Sequence, residues 1–137
     1  MGLQVQVVNA STSEEIDAAF ATFARERPDI LFVGGDSFFL SRRVQLTNWA
    51  VRLAMPAAFS ARDFTEVGGL MAYASDIANA YRQVGFYTGR ILKGEKPSEL
   101  PVMRSTTFEL MLNLKTAKTL DLAISPTLLA LADEVIE

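Results

Sequence analysis

Two hydrophobic rhythms alternate along the chain, one of two residues and one near 3.6, and each switch between them marks the border of an element. "LQVQVV" sets Leu3, Val5 and Val7 on one side of an extended chain and Gln4 and Gln6 on the other, which predicts a half-exposed strand at a sheet edge. In "STSEEIDAAFATFARERP", Ser and Thr caps and first-turn acids lead into Ile16, Ala19, Phe20, Phe23 and Ala24 at helical spacing, and Pro28 closes the run. "DILFVGG" carries Ile30, Leu31, Phe32 and Val33 without a polar break, as expected of a parallel strand covered on both faces at the centre of the sheet.

The rest of the chain continues the alternation. A helix from about Leu40 to Ala54 has Leu46, Trp49, Ala50 and Leu53 on one face and stops before Pro56. "PAAFS" follows as a short strand, "ARDFTEVGG" as a helical turn or two stopped by Gly68 and Gly69, and "LMAYA" as another strand. The long stretch "SDIANAYRQVGFYTGRILKGEKP" aligns Ile77, Tyr81, Val84, Thr88 and Ile91, with Asp76 at its start and Gly94 and Pro97 past its end. Gly85 and Gly89 inside it each cost roughly 1 kcal/mol relative to Ala, so a close-packed neighbour is expected to need the space. "TFELMLNL" predicts a strand, "KTAKTLDL" a short helix, and "SPTLLALADEVIE" a terminal helix capped by Ser125 with Pro126 in its first position. Strands separated by such helices predict an α/β fold, a right-handed parallel sheet with helices on both faces, in one domain over residues 1–137.

Composition narrows the function. A chain of 137 residues, half of them hydrophobic, buries one core. Its net charge of −3, without blocks of like charge, gives nothing that attracts nucleic acid or an anionic membrane. The absence of Cys excludes disulfides and thiolate chemistry, and the absence of His removes the usual triads and most catalytic zinc sites. No export signal or membrane-length apolar run is visible. "VGGDSF" has neither the Gly-x-Gly-x-x-Gly spacing nor the Lys-Ser/Thr of a phosphate loop, and "GFYTGR" reads as helix packing. No catalytic residue, metal ligand or cofactor is assigned.

On sheets of this type, ligands bind beyond the carboxyl ends of the strands. Asp36 and Ser37 lie just past one strand, Ser60, Arg62 and Asp63 just past the next, and Phe38 and Phe39 stand beside the acid. Each also has a plainer role. Asp36 suits a helix cap, Phe38 and Phe39 the core, and Arg62 and Asp63 a solvated turn, while Tyr73 fits either a core edge or a ligand hydrogen bond. Besides solute binding, two other classes fit: a flavodoxin-like or nucleotide-using enzyme with Asp36 as acceptor or metal ligand, and a module that only self-associates.

"PDILFVGGDSFFLSRRVQL", "GGLMAYASDIANAYRQVGFYTGRILKGEKPSELPV" and "FELMLNLKTAKTLDLAISPTLLALADEVIE" together resemble the substrate-binding proteins of ABC transporters, in the branch of tryptophan-type and uncharacterised amino-acid binders. The resemblance runs through nearly the whole chain, and "ILKGEKPSELPV" and "NLKTAKTLDL" are its most specific blocks. It implies the type I periplasmic-binding-protein fold, two α/β lobes around a cleft that closes on a small solute for delivery to a membrane permease. It also implies a periplasmic setting and places Met1 in mid-protein, after an export signal and a first lobe. This chain then corresponds to the second lobe, short of its first strand and helix, plus the helix near 76–93 that packs on the first.

The resemblance makes Asp36 the leading ligand contact, its carboxylate suited to an amino acid's ammonium. Ser37, Phe38, Ser60, Arg62 and Tyr73 rank below it, the aromatics suiting an apolar side chain. Without the first lobe, Ile77, Tyr81, Val84 and Ile91 lack a complete partner surface. A homodimer through that helix or through the "LQVQVV" edge is therefore expected.

Overall fold

Thr12 opens the first regular element: its hydroxyl accepts from the Glu15 N–H at 3.2 Å, while the Glu15 carboxylate reaches back to the Ser11 N–H at 2.6 Å. This reciprocal cap starts helix α1, Ser13–Glu26, which buries Ile16 and Phe20. The computed structural model describes residues 2–104 and 106–137. After α1 come β1 (Leu31–Val33), α2 (Ser37–Ser41), α3 (Arg43–Arg52), β2 (Ala57–Phe59), α4 (Asp63–Glu66), β3 (Met71–Ser75) and α5 (Ile77–Leu92). The chain closes with β4 (Phe108–Asn113), α6 (Leu114–Thr119), α7 (Pro126–Ala130) and β5 (Glu134–Ile136).

The five strands form one sheet in the order β1-β2-β3-β4-β5. Ladder partners share a face, so Val33, Phe59, Ala72 and Met111 form one row across four strands. That row is almost wholly buried. It lies in one core with Ile16 and Phe20 of α1, Leu46 and Ala50 of α3 and Phe64 of α4, where the Phe59 and Phe64 rings stack at 4.4 Å. The row on the other face is Phe32, Ala58, Met71 and Leu112, and it is covered unevenly: Leu112 is buried whereas Phe32 is 68% exposed.

The α/β class stands, with several corrections in detail. The sheet is mixed, because β4 runs antiparallel to β3, with Tyr73 beside Leu110 and Ser75 beside Phe108. β1 is an outer strand, not the central one. "LQVQVV" has the alternation of a strand but no ladder, and Leu3, Val5 and Val7 are each more than three-quarters exposed. The helix expected over 40–54 is two helices meeting at Arg42. The expected terminal helix ends at Ala130, and Val135 and Ile136 instead pair beside Leu112 and Asn113.

Helix α5 forms where expected, capped by Asp76, whose side chain accepts from the Asn79 N–H at 2.9 Å. It buries no residue, and among the described residues nothing beyond the helix's own neighbouring backbone lies within 4 Å of where a Cβ on Gly85 or Gly89 would stand. Among the described residues no helix is long and apolar enough to cross a membrane.

Candidate functional site

The parallel strands β1, β2 and β3 end on one side of the sheet, and β4 begins there. At the end of β1 the chain turns through Gly34 and Gly35 to Asp36. Asp36 is the cap of α2: its Oδ1 accepts from the Phe38 N–H at 2.7 Å, on extended backbone. The plainer reading of this acid is thus correct as far as it goes. A carboxylate has lone pairs for further donors, and Asp36 and Ser37 are both exposed. Phe38 and Phe39 are half-buried against the core, 5.7 Å apart, and the Arg42 guanidinium lies 5.9 Å from the Phe38 ring.

Ser60 follows β2 directly. Its Oγ is buried and has no hydrogen-bond partner, and it lies 3.3 Å from where a Cβ on Gly35 would stand. A side chain in place of the Gly35 hydrogen would crowd it, so the glycine lets the two strand ends approach. A buried hydroxyl without a partner is unusual and marks Ser60 as the most under-satisfied group at this end.

Arg62 turns toward the other half of the sheet. It contacts Glu66 at 3.3 Å, Glu134 of β5 at 2.7 Å and Glu109 of β4 at 3.7 Å. The Glu134 charge, with Glu66 beside it, holds the guanidinium above its usual range. Arg62 is therefore exposed, as a solvated turn residue would be, but it is an ion-paired cation. Tyr73 stands on the open face of β3, stacked on Phe108 with ring centroids 5.4 Å apart.

The six residues singled out from sequence thus fall into three groups: Asp36, Ser37 and Ser60 at adjacent strand ends, with Phe38 tucked beneath; Arg62 within an acidic cluster; Tyr73 on Phe108. Sequence reasoning missed Glu109, Glu134 and Phe108. Each belongs to β4 or β5, and only the pairing of those strands with β3 brings them to this end. Hollows of about 390 Å³ beside α6 and α7 and about 480 Å³ beside α3 lie elsewhere and include none of the six. The strand ends form an open wall.

The comparisons with known proteins bear on this wall. No curated protein matches the chain. Among solved structures, a Streptococcus pneumonia ABC domain in complex with L-Trp is similar to it at TM-score 0.88 and 27% identity, covering 98% of this chain and 46% of that one. A conserved domain protein from Vibrio cholerae is similar at TM-score 0.84 and 24% identity, over 92% of this chain and 42% of that one. The ligand-free, open structure of a substrate-binding protein with adhesive properties from Clostridium difficile aligns at TM-score 0.66 and 20% identity, over 93% and 42%. This chain spans less than half the length of each. The family model for ABC transporter substrate binding protein matches residues 1–136, so the chain belongs to that family.

Proposed function

We propose that this chain is one wall of the solute-binding cleft of an ABC importer, taking an amino acid or a similar small organic solute against the strand ends. The observation that carries the reading is the family match over residues 1–136, supported by the similarity to a domain that holds L-Trp. Proteins of this family bind small solutes for ABC permeases and are typically periplasmic or extracellular.

The chemistry at the strand ends fits such a solute. Asp36 offers a carboxylate to an ammonium group through a charge-assisted hydrogen bond, and the Ser60 hydroxyl waits without a partner one strand away. Glu66, Glu109 and Glu134 outnumber Arg62, which biases this side of the sheet toward cations. Phe38 and the Tyr73–Phe108 stack supply apolar surface at either flank. Catalysis has no part in the reading. In a two-lobed relative, closure of a second wall over the solute supplies the remaining contacts and drives the conformational change.

The reading treats residues 1–137 as one α/β unit, the second lobe, with the helix near 76–93 directed toward a first lobe. In this chain by itself, self-association through that helix or a sheet edge belongs to the same reading, supported by the exposure of Ile77, Tyr81 and Val84.

Native mass spectrometry with tryptophan, phenylalanine and the branched-chain amino acids tests the ligand. A small-molecule adduct retained by the wild-type chain and lost in Asp36→Ala supports the site. No adduct under any of these conditions overturns ligand binding by this chain.

A further inference from the structure

The hollow of about 480 Å³ beside α3 lies where β2 and β3 begin and β4 finishes, between α3, the turn before β3 and the start of α6. Helix α5, which the reading above directs toward a first lobe, leaves from the other end of β3. The hollow is thus at the far end of the sheet from both the strand-end wall and α5.

Two polar side chains of α3 that line it lack partners. Thr47 is 2% exposed, and its Oγ1 makes no hydrogen bond, although a helical Thr is able to bond the carbonyl one turn earlier. Its methyl lies toward Gly68, 3.7 Å from where a Cβ on that residue would stand. Thr populates two χ1 wells in a helix, and rotation about χ1 sets the hydroxyl where the methyl stands.

Arg52 is the second. Its guanidinium lies 4.7 Å from the centroid of the Trp49 ring, which is itself fixed by stacking on Phe20 and by donation from Nε1 to Asp17 at 2.6 Å. Among the described residues Arg52 pairs with no acid, so the ring holds the cation while its N–H donors stay open. Thr116, by contrast, is engaged: its Oγ1 donates to the Gly68 carbonyl at 2.8 Å and holds the floor of the hollow. Gly68 has φ +99°, a conformation glycine supplies, and leaves the space above it open. Val51 and Val67 give the hollow apolar sides.

We propose that this hollow binds a small organic carboxylate, its charge on Arg52 and the Thr47 hydroxyl and its short apolar body against Val51 and Val67. The guanidinium fork matches a carboxylate, and the hydroxyl, turned inward, adds a further bond. The site is separate from solute binding at the strand ends.

Trp49 is the only tryptophan, so its fluorescence reports an anion drawn onto the guanidinium that lies over it. Butyrate is expected to change that fluorescence saturably and to raise the melting temperature, while butanol, or sodium chloride at equal ionic strength, does neither. Arg52→Gln removes both responses. Thr47→Val keeps the bulk of the side chain and weakens butyrate about tenfold, the loss of one hydrogen bond to a charged group. Asp36→Ala leaves the butyrate response unchanged, which separates this hollow from the strand ends. Absence of a saturable response in the wild type overturns the proposal, and so does a response that survives Arg52→Gln. Undiminished binding by Thr47→Val overturns the placement beside the hydroxyl, and loss of the response in Asp36→Ala assigns the carboxylate to the strand ends instead.

Discussion

Ser60 Oγ stands 3.3 Å from where a side chain on Gly35 would begin, buried and without a hydrogen-bond partner. The ends of β1 and β2 thus approach closely around a polar group that has no partner. Such a hydroxyl costs about 1–3 kcal/mol relative to one that is bonded or absent. Ser60→Ala is expected to raise the unfolding free energy by about 1 kcal/mol in urea while weakening any amino acid that binds at the strand ends. Loss of stability on this substitution would mean that the hydroxyl is bonded in solution and is not reserved for a ligand.

Asp17 joins α1 to α3. Its Oδ1 accepts from Trp49 Nε1 at 2.6 Å and from Gln45 Nε2 at 2.9 Å, and these bonds hold the carboxyl below its ordinary value of 3.8, the Gln45 bond contributing most. The folded state binds this proton less readily than the unfolded chain. Its contribution to stability is therefore complete above the ordinary value and is lost as pH falls through the lower, folded one. Trp49 is the chain's one tryptophan and stacks on Phe20 at 5.8 Å, so its fluorescence reports the joint. In urea titrations from about pH 6 to about pH 3, the wild type is expected to lose more stability than Asp17→Asn, which carries no titrating group there. Parallel losses would show that the helix joint does not depend on the charge.

Two glycines near the sheet separate backbone crowding from open space. A Cβ on Gly69 would meet the Phe64 carbonyl oxygen at 2.7 Å and the Phe59 ring at 2.9 Å, inside the buried aromatic stack. A Cβ on Gly34 would meet nothing within 4 Å. Gly69→Ala is expected to cost about 3 kcal/mol by overpacking, while Gly34→Ala is neutral or gains up to about 1 kcal/mol through the unfolded chain. Thermal unfolding of the two variants side by side checks the contrast, and equal shifts would contradict it.

What could be read from the sequence follows the range of the interactions concerned. The caps of α1 and α5 depend on residues three or four apart, and Thr12 and Asp76 carry them as expected. The direction of β4 has no local signature, because an antiparallel and a parallel strand share a period of two. "LQVQVV" has the pattern of a strand but pairs with no partner here, so its alternation alone could not form a ladder. At the other end, "DEVIE" follows a helix without a Gly or Pro break, and its short apolar pair fits either element; only the place beside Met111 and Leu112 decides it. The place of Asp36, Ser37 and Ser60 past the ends of β1 and β2 was legible, because the first two come after the Gly34–Gly35 turn that closes one apolar run and Ser60 directly follows the other. The partners of Arg62 were not, since Glu109 and Glu134 lie 47 and 72 positions away along the chain.

Arg62 is the single cation among three acids drawn from α4, β4 and β5. Because the Arg62 side chain is 44% exposed, each pair is worth at most about 1 kcal/mol, and salt screens it. The three acids tell more than the pairs. With Arg62→Met, Glu66, Glu109 and Glu134 lose the one cation they share, and their mutual repulsion is unbalanced. Wild-type stability is expected to fall slightly as salt is added, since screening weakens attraction. The stability of Arg62→Met is expected to rise with salt, since screening then weakens repulsion, so that the gap between the two proteins narrows from about 1 kcal/mol toward zero. Urea unfolding of both at low and high sodium chloride measures the two slopes. Slopes of the same sign would show that the acids do not feel one another across β3, and that Arg62 holds β5 by packing of its aliphatic stem, not by charge.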